Sequence, residues 1–396
     1  MRIIVHDYAG HPFQVQLSRR LAARGHDVLH LYCSSTHTPQ ADLVHREGDP
    51  GTFQVRGIAL AERIPKTNFY KRWTLESDYA RRIVAACGEF DPEVVISANT
   101  PSLPQHRLAR WCTASGVRLV SWVQDIYGLA AYRLLGKKLP VVGHAVGRYF
   151  IALDKSSARR SQSLVVITED FRDVFAGWGI DPGRVHVVHN WSPLEAMPQR
   201  PHENDWSRVQ GLGDGVRLVY AGTLAMKHNP ALLLELAQML DRDRLGELIV
   251  VSEGAGVDWL TREASARGIT SLRCLGFQPF EALPDVLGSA DILVAILEAD
   301  AGVFSVPSKV LSYLCAGRPV LLAVPPENLA AKIVVECGAG RVVAPSDLAG
   351  FCAAARGLID APDTRDQCGQ AAREYAETHF DIDAIADRFE AILSGK

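Results

Sequence analysis

The stretch 303–321, VFSVPSKVLSYLCAGRPVL, decides how this chain is read. Pro307 and Ser308 mark a helix start, since proline suits a first turn whose N–H needs no partner and a Ser side chain can cap free amides. Val310, Leu311 and Leu314 then share one helical face. Ala316-Gly317-Arg318-Pro319 stops the helix, and Val320-Leu321-Leu322 reads as a buried strand. A helix start carrying Ser308 and Lys309 is a ready anion site, because free N–H groups and the positive dipole end point outward. An ordinary helix–strand unit with a surface lysine fits the same spacing.

Outward from this stretch, strands and helices alternate along the whole chain. Residues 3–5, 28–32, 93–97, 117–122, 163–167 and 185–188 read as strands, and 13–24 as an amphipathic helix ending at Gly25. A polar segment, 193–213, interrupts the pattern, which then restarts. Strands are expected at 217–220, 247–251, 272–275, 292–296 and 320–323, with helices at 230–240, 258–267 and 280–287 between them. A last helix is expected at 381–393. Such alternation predicts parallel, doubly wound sheets, and the restart predicts two of them.

Composition bounds the function. The chain has 396 residues, 47% hydrophobic and 22% charged, enough for two domains with cores of their own. Its eight cysteines show no C-x-x-C pairing and sit in apolar segments, which points to reduced, buried thiols of a cytoplasmic protein. No signal peptide is visible, and apolar runs such as 292–297 fall far short of the ~20 residues that span a bilayer. Residues 1–192 carry 24 Lys and Arg against 17 Asp and Glu, whereas the remainder carries 18 against 28. A basic half beside an acidic half suggests that the first faces phosphates or anionic lipid; charge fluctuation between domains gives the same numbers.

Metal and dinucleotide motifs offer little. Gly254-Ala255-Gly256 follows a strand, but Trp259 occupies the third glycine position of a G-x-G-x-x-G fingerprint. The two D-x-D strings, 241–243 and 381–383, sit at helix ends, where capping is their expected role. No metal and no cofactor are expected, and nothing suggests nucleic acid as a partner.

The 303–321 stretch resembles the nucleotide-sugar signature of glycosyltransferase family four, retaining enzymes of the GT-B fold, and is similar to the colanic-acid and exopolysaccharide subgroup. The family's E-A-x-A-x-G-x-P-V run is in register with 311–320. Ser312 stands where the family's ribose-contacting glutamate stands, and Phe304 where its partner glutamate stands. The resemblance implies two Rossmann-like domains facing across a cleft: an acceptor-binding domain at 1–192, a linker at 193–213, and a nucleotide-sugar domain at 214–380. Helix 381–396 would cross back to the first domain.

The resemblance also implies site residues. Residues 220–229, YAGTLAMKHN, match the family's G-x-[LM]-x-x-x-K-G segment, so Gly222 would allow close backbone approach and Lys227 would meet a diphosphate. Thr223 stands where the family often has Arg. Glu253 and Gly254 match its second turn, and Phe277 and Gln278 the turn whose backbone reads the base. Val306, Pro307, Ser308, Lys309 and Ser312 complete the donor set. In the first domain only Gly10 remains of a Gly-Gly pair, followed by His11. Gln124 and Asp125 fall on the family's H-D pair, with Gln124 unable to titrate. Asn190 is retained from its interdomain turn.

The implied activity is metal-independent transfer of a sugar, with retention, from a nucleoside diphosphate to a hydroxyl. The acceptor would be a glycan or a lipid-diphosphate-linked one, and the basic, aromatic segments 63–82 and 133–160 would touch an anionic membrane surface. A nucleotide-sugar 2-epimerase of the same fold, or a non-catalytic nucleotide-sugar-binding subunit, is the alternative.

Overall fold

The computed structural model describes residues 1–36, 43–65, 68–298 and 307–395, apart from the side chains of Lys138 and Lys227. The chain divides into two compact units, Met1–Asn190 with Ile382–Lys396, and Trp191–Asp381.

The first unit is built on seven parallel strands: β1 (Arg2–Asp7), β2 (Asp27–Cys33), β3 (Phe53–Ile58), β4 (Val94–Ala98), β5 (Arg118–Val123), β6 (Ser163–Val166) and β7 (Val185–Val187). Their order is β3-β2-β1-β4-β5-β6-β7. Central strands such as β1 and β4 are near-continuous apolar runs because helices cover both faces of a parallel sheet. The helices are α1 (Pro12–Ala23), α2 (Phe69–Phe90), α3 (Ser102–Ser115), α4 (Tyr127–Lys138), α5 (Pro140–Arg160) and α6 (Asp170–Gly177).

The second unit has six parallel strands: β8 (Val216–Ala221), β9 (Gly246–Val251), β10 (Leu272–Leu275), β11 (Ile292–Ile296), β12 (Val320–Ala323) and β13 (Gly340–Val343). Their order is β10-β9-β8-β11-β12-β13. Its helices are α7 (Asp205–Val209), α8 (Ala231–Asp243), α9 (Ala255–Ala266), α10 (Leu283–Gly288), α11 (Ser308–Ala316), α12 (Leu329–Cys337), α13 (Leu348–Ile359) and α14 (Pro362–His379). The core gathers Leu232, Leu233 and Leu236 of α8 against Leu218, Leu248 and Val294.

The last helix, α15 (Ile382–Ser394), packs on the first unit. The Arg24 guanidinium meets Asp383 at 2.9 Å, Asp387 at 2.5 Å and Glu390 at 2.7 Å, and Phe389 lies 4.9 Å from the Trp122 ring.

Beyond the elements expected from the sequence, the fold adds β3, β13 and the helices α2 to α6 and α12 to α14. Residues 193–213, expected to link domains, fold into the second unit, where α7 carries an Asn204–Ser207 capping box and buries Trp206. None of the eight cysteines, all among the described residues, is in a disulfide.

Candidate functional site

In each sheet the strand order reverses beside the first strand, between β1 and β4 and between β8 and β11. Ligands of doubly wound sheets bind at such switch points, beyond the carboxyl ends of the strands.

In the second unit that point is formed by the turn after β8 and the start of α11. Gly222 takes φ +123°, a region that disfavours side chains, and its N–H bonds the Val251 carbonyl at 3.0 Å. A Cβ built there would lie 3.0 Å from Lys309 Cε and 3.2 Å from Nζ, so the missing side chain makes room for the lysine. Lys309 Nζ sits 3.7 Å from the centroid of the Tyr220 ring, a cation–π contact. Burial alone pushes its ammonium down to about 7. Pro307 is the N-cap of α11, with no side-chain hydrogen bond to the first turn. Ser308, expected as the cap, is instead the first helical residue and is exposed.

Tyr313 fastens this arrangement, and the sequence did not single it out. Its hydroxyl accepts from the Ala221 N–H at 2.9 Å and reaches the Ala221 and Val294 carbonyls at 3.1 and 3.2 Å. Thus α11 is pinned to the ends of both switch-point strands. The Tyr220 hydroxyl donates to the Thr223 carbonyl at 2.7 Å and shapes the same turn. Ser312 faces Ser192, with Oγ–Oγ 3.2 Å. His228 and Glu298, a pair at 3.5 Å beyond β8 and β11, are further polar groups that sequence reasoning passed over.

The other donor candidates lie on neighbouring turns. Gly254 is the N-cap of α9 at φ +107°, and Glu253 accepts from the Phe277 N–H at 3.2 Å. Phe277 is exposed. Gln278 is committed within the unit, accepting from Trp206 Nε1 at 3.0 Å and donating to the Gly276 carbonyl at 3.0 Å. Lys227 lies in the 3-10 turn Met226–His228, its side chain outside the described residues, as is all of Val306.

In the first unit, Asp7 ends β1 fully buried and organises the turn that follows. Its carboxylate accepts from the Ala9 N–H at 3.0 Å and from the His11 N–H, and lies 3.5 Å from His11 Nδ1. Gln14, with its amide nitrogen turned toward Asp7, donates to the carboxylate and accepts from Gln124. Gln124 is therefore buried in this network. Burial works to raise Asp7, yet the His11 hydrogen bond and charge hold it below the usual carboxylate range. Burial works to lower His11, and Asp7 more than reverses this, so the ring titrates above its ordinary value.

Gly10, at φ +81°, completes the turn. Asp125, in the turn after β5, is pushed up to about 6 by burial, with the charge of His11 opposing. It lines a cavity of about 50 Å³ with Asn99, Thr100, Tyr127 and Asp154. Burial also pushes Asp154 up to about 6. Asn99 holds a left-handed φ of +46°, with the Tyr127 hydroxyl donating to its Oδ1 at 3.0 Å. Such strain in a non-glycine residue gathers at functional sites. So β1, β4 and β5 bring His11, Asn99 and Asp125 together.

Both D-x-D strings are spent on structure. Asp241 accepts from Thr270 and Ser271, Asp243 pairs with Arg242 and Arg356, and Asp383 pairs with Arg20 and Arg24. Among the described residues, no three His, Cys, Asp or Glu side chains converge as metal ligands.

Residues 11–191 match the Glycosyl transferase 4-like domain and residues 203–375 match Glycosyl transferases group 1. Each unit is thus a glycosyltransferase domain, and the chain belongs to the glycosyltransferases of GT-B fold. WcaI of Escherichia coli strain K12, named for colanic acid biosynthesis, is 25% identical over 280 residues, 69% of this chain and 67% of its own. A glycogen synthase of Mycobacterium tuberculosis strain H37Rv is 26% identical over 390 residues, 93% of this chain and 87% of its own. The fold matches Anabaena HepE, solved with UDP, at a TM-score of 0.72 and 14% identity over the whole of both chains.

Proposed function

We propose that this protein transfers a sugar from a nucleoside diphosphate to a hydroxyl with retention, in the assembly of a polysaccharide or glycoconjugate, without a metal. One observation carries the reading: Lys309, half-buried over Tyr220 beside the side-chain-free Gly222, stands at an uncapped helix start on the second sheet's switch point. A cation held there, with no described carboxylate against it, is arranged to meet an anion. HepE is solved with UDP and with UDP-glucose, which supports a nucleotide sugar as that anion.

The mechanism follows from the charges. The bond from the anomeric carbon to the diphosphate oxygen breaks as the bond to the acceptor oxygen forms on the same face. The acceptor's proton passes to the departing phosphate, so no protein base is required. Lys309, Lys227 and the first-turn amides of α11 take up the negative charge that develops on the diphosphate. In the first unit, His11 and Asp125 orient the acceptor hydroxyl. The basic balance of residues 1–192 supports an anionic acceptor such as a lipid diphosphate, held at an anionic membrane.

Calorimetric titration with UDP and UDP-glucose, followed by product analysis on a panel of nucleotide sugars, tests this reading. Lys309→Ala and Lys227→Ala should each weaken donor binding by ~1.5–3 kcal/mol, the range for charge-assisted hydrogen bonds. Unchanged affinity in both variants would refute the diphosphate assignment. Turnover lost in a chelator and restored by magnesium would refute metal independence.

A further inference from the structure

We infer that the second unit carries a further ligand site, for a sugar phosphate, at the amino end of its sheet. The donor site described above lies past the carboxyl ends of the same strands, so the two are separate. A cavity of about 480 Å³ opens between the end of α11, the starts of β11 and β12, and one face of α14. Small-molecule sites measure roughly 300–1,000 Å³, so it has room for such a ligand. Glycines shape it. A Cβ at Gly369 of α14 would meet the Gly317 carbonyl at 2.6 Å, and one at Gly317, whose φ is +64°, would run into Gln199. Without those side chains α14 comes in close to the end of α11. Arg373 of α14 then holds the last turn of α11, its Nη1 donating to the Cys315 carbonyl at 2.7 Å.

The side chains along the cavity define the ligand. Apart from Gly317, Pro319 and Gly369, each carries a charge or an amide, and none is aromatic. A nucleobase would have no ring to stack on there, and an apolar ligand no surface to cover. Two guanidinium groups lack an ion-pair partner among the described residues. Arg318 Nη2 donates to the Gly288 and Arg200 carbonyls at 2.7 and 3.1 Å, and its Nε is buried with no acceptor. Arg365 Nη1 donates to the Leu358 and Ile359 carbonyls at 2.8 and 2.6 Å. Burial holds the Arg318 guanidinium below its ordinary value, with the charges of Asp291 and Asp366 opposing.

The carboxylates divide into committed and free. Asp291 accepts from His202 Nε2 at 3.0 Å and from the Arg217 N–H at 2.9 Å, and Glu377 accepts from Arg373 at 2.6 Å. Glu374 accepts only from Gln370, at 2.7 Å, and Asp366 accepts no hydrogen bond from a described residue; both are exposed. Guanidinium forks take a phosphate through charge-assisted bonds, and free carboxylates accept from hydroxyls. Phosphate alone would leave Asp366 and Glu374 unused, and a neutral sugar would leave Arg318 and Arg365 uncompensated. A molecule carrying both groups answers both.

Calorimetric titration of the full chain tests this, with glucose 6-phosphate, glucose and inorganic phosphate as probes. Glucose 6-phosphate should bind saturably, and each part alone about tenfold or more weakly. Arg318→Gln and Arg365→Gln should each weaken both glucose 6-phosphate and inorganic phosphate about tenfold or more. Both arginines also serve carbonyls, so Asp366→Asn, at an exposed residue with no such duty, provides a variant that keeps the fold. It should weaken glucose 6-phosphate while leaving inorganic phosphate as tight or tighter. Lys309→Ala should bind glucose 6-phosphate as the wild type does. Absence of saturable binding, or equal binding by the wild type, Arg365→Gln and Asp366→Asn, would overturn the site. So would loss of binding in Lys309→Ala or displacement by UDP-glucose, because the probe would then occupy the donor site.

Discussion

Lys309→Met should make the protein more stable and weaken donor binding by the same ~1.5–3 kcal/mol as Lys309→Ala. Burial carries the Lys309 ammonium from its ordinary value of 10.5 down to about 7. At about 1.4 kcal/mol per pH unit, that shift bounds the cost of holding the charge at roughly 5 kcal/mol. Relaxation and the facing Tyr220 ring reduce what a variant recovers, and apolar replacement of buried charge typically returns ~1–4 kcal/mol. The sign is fixed by proton counts. Below pH 7 the lysine is charged in both states, and folding bears the whole cost. Between pH 7 and its ordinary value the unfolded chain binds more protons, so wild-type stability gains on the variant as pH rises. Urea unfolding of both proteins across this window measures the difference. Lys309→Met should be the more stable at neutral pH, with its advantage shrinking toward alkaline pH. Destabilisation at neutral pH, or a difference that does not move with pH, would refute the account of Lys309 as a half-buried, uncompensated cation.

Gly222→Ala should weaken UDP-glucose binding about tenfold or more in calorimetry, since it combines a disfavoured φ of +123° with a Cβ 3.2 Å from Lys309 Nζ. Tyr313→Phe removes the hydroxyl that serves Ala221 and Val294, and should cost ~1–3 kcal/mol in denaturant unfolding. Asp7→Asn should bring the His11 titration down, read by NMR of the ring protons. The stability that the wild-type pair contributes is present below the ordinary histidine value and lost as pH rises through the raised one, so the variant's stability should be flatter there.

The parallel strands were legible because a strand covered on both faces has to be an apolar run, and Ile3–Val5 or Ile292–Ile296 can hardly be anything else. The strand β3 was not, because FQVRGI at a sheet edge buries only its two ends. The hairpin of α4 and α5 was hidden by its own packing device. Gly136, Gly143 and Gly147 look like breaks in a linear pattern, whereas in three dimensions each is the place where a neighbouring backbone comes too close for a side chain. The adjacency of Gly222 and Lys309, both nominated from the sequence, was legible where spacing and residue type agree. Asp7 and Tyr313 were not, since a buried carboxylate within a strand and a tyrosine on an apolar helix face show their partners only after folding.

Two departures from the family pattern flank Lys309 and are best explained together. Thr223, beside Gly222, stands where the family often has an arginine, and Ser312, one turn along α11 from Lys309, stands where it has a glutamate. A lone loss of the arginine would remove a positive charge from the proposed diphosphate site. A lone loss of the glutamate would remove the negative charge that helps keep a half-buried lysine protonated. Losing both removes one charge of each sign at these two positions, while Phe304 takes the place of a second glutamate, and burial draws Lys309 down to about 7. Ser312 then needs only a neutral partner, and Ser192 provides one at 3.2 Å. Restoring one charge should therefore be worse tolerated than restoring both. Ser312→Glu alone sets a carboxylate near the diphosphate and should weaken UDP-glucose binding, and Thr223→Arg in the same chain should recover much of the loss. Equal binding by the single and double variants would show the two positions to be independent.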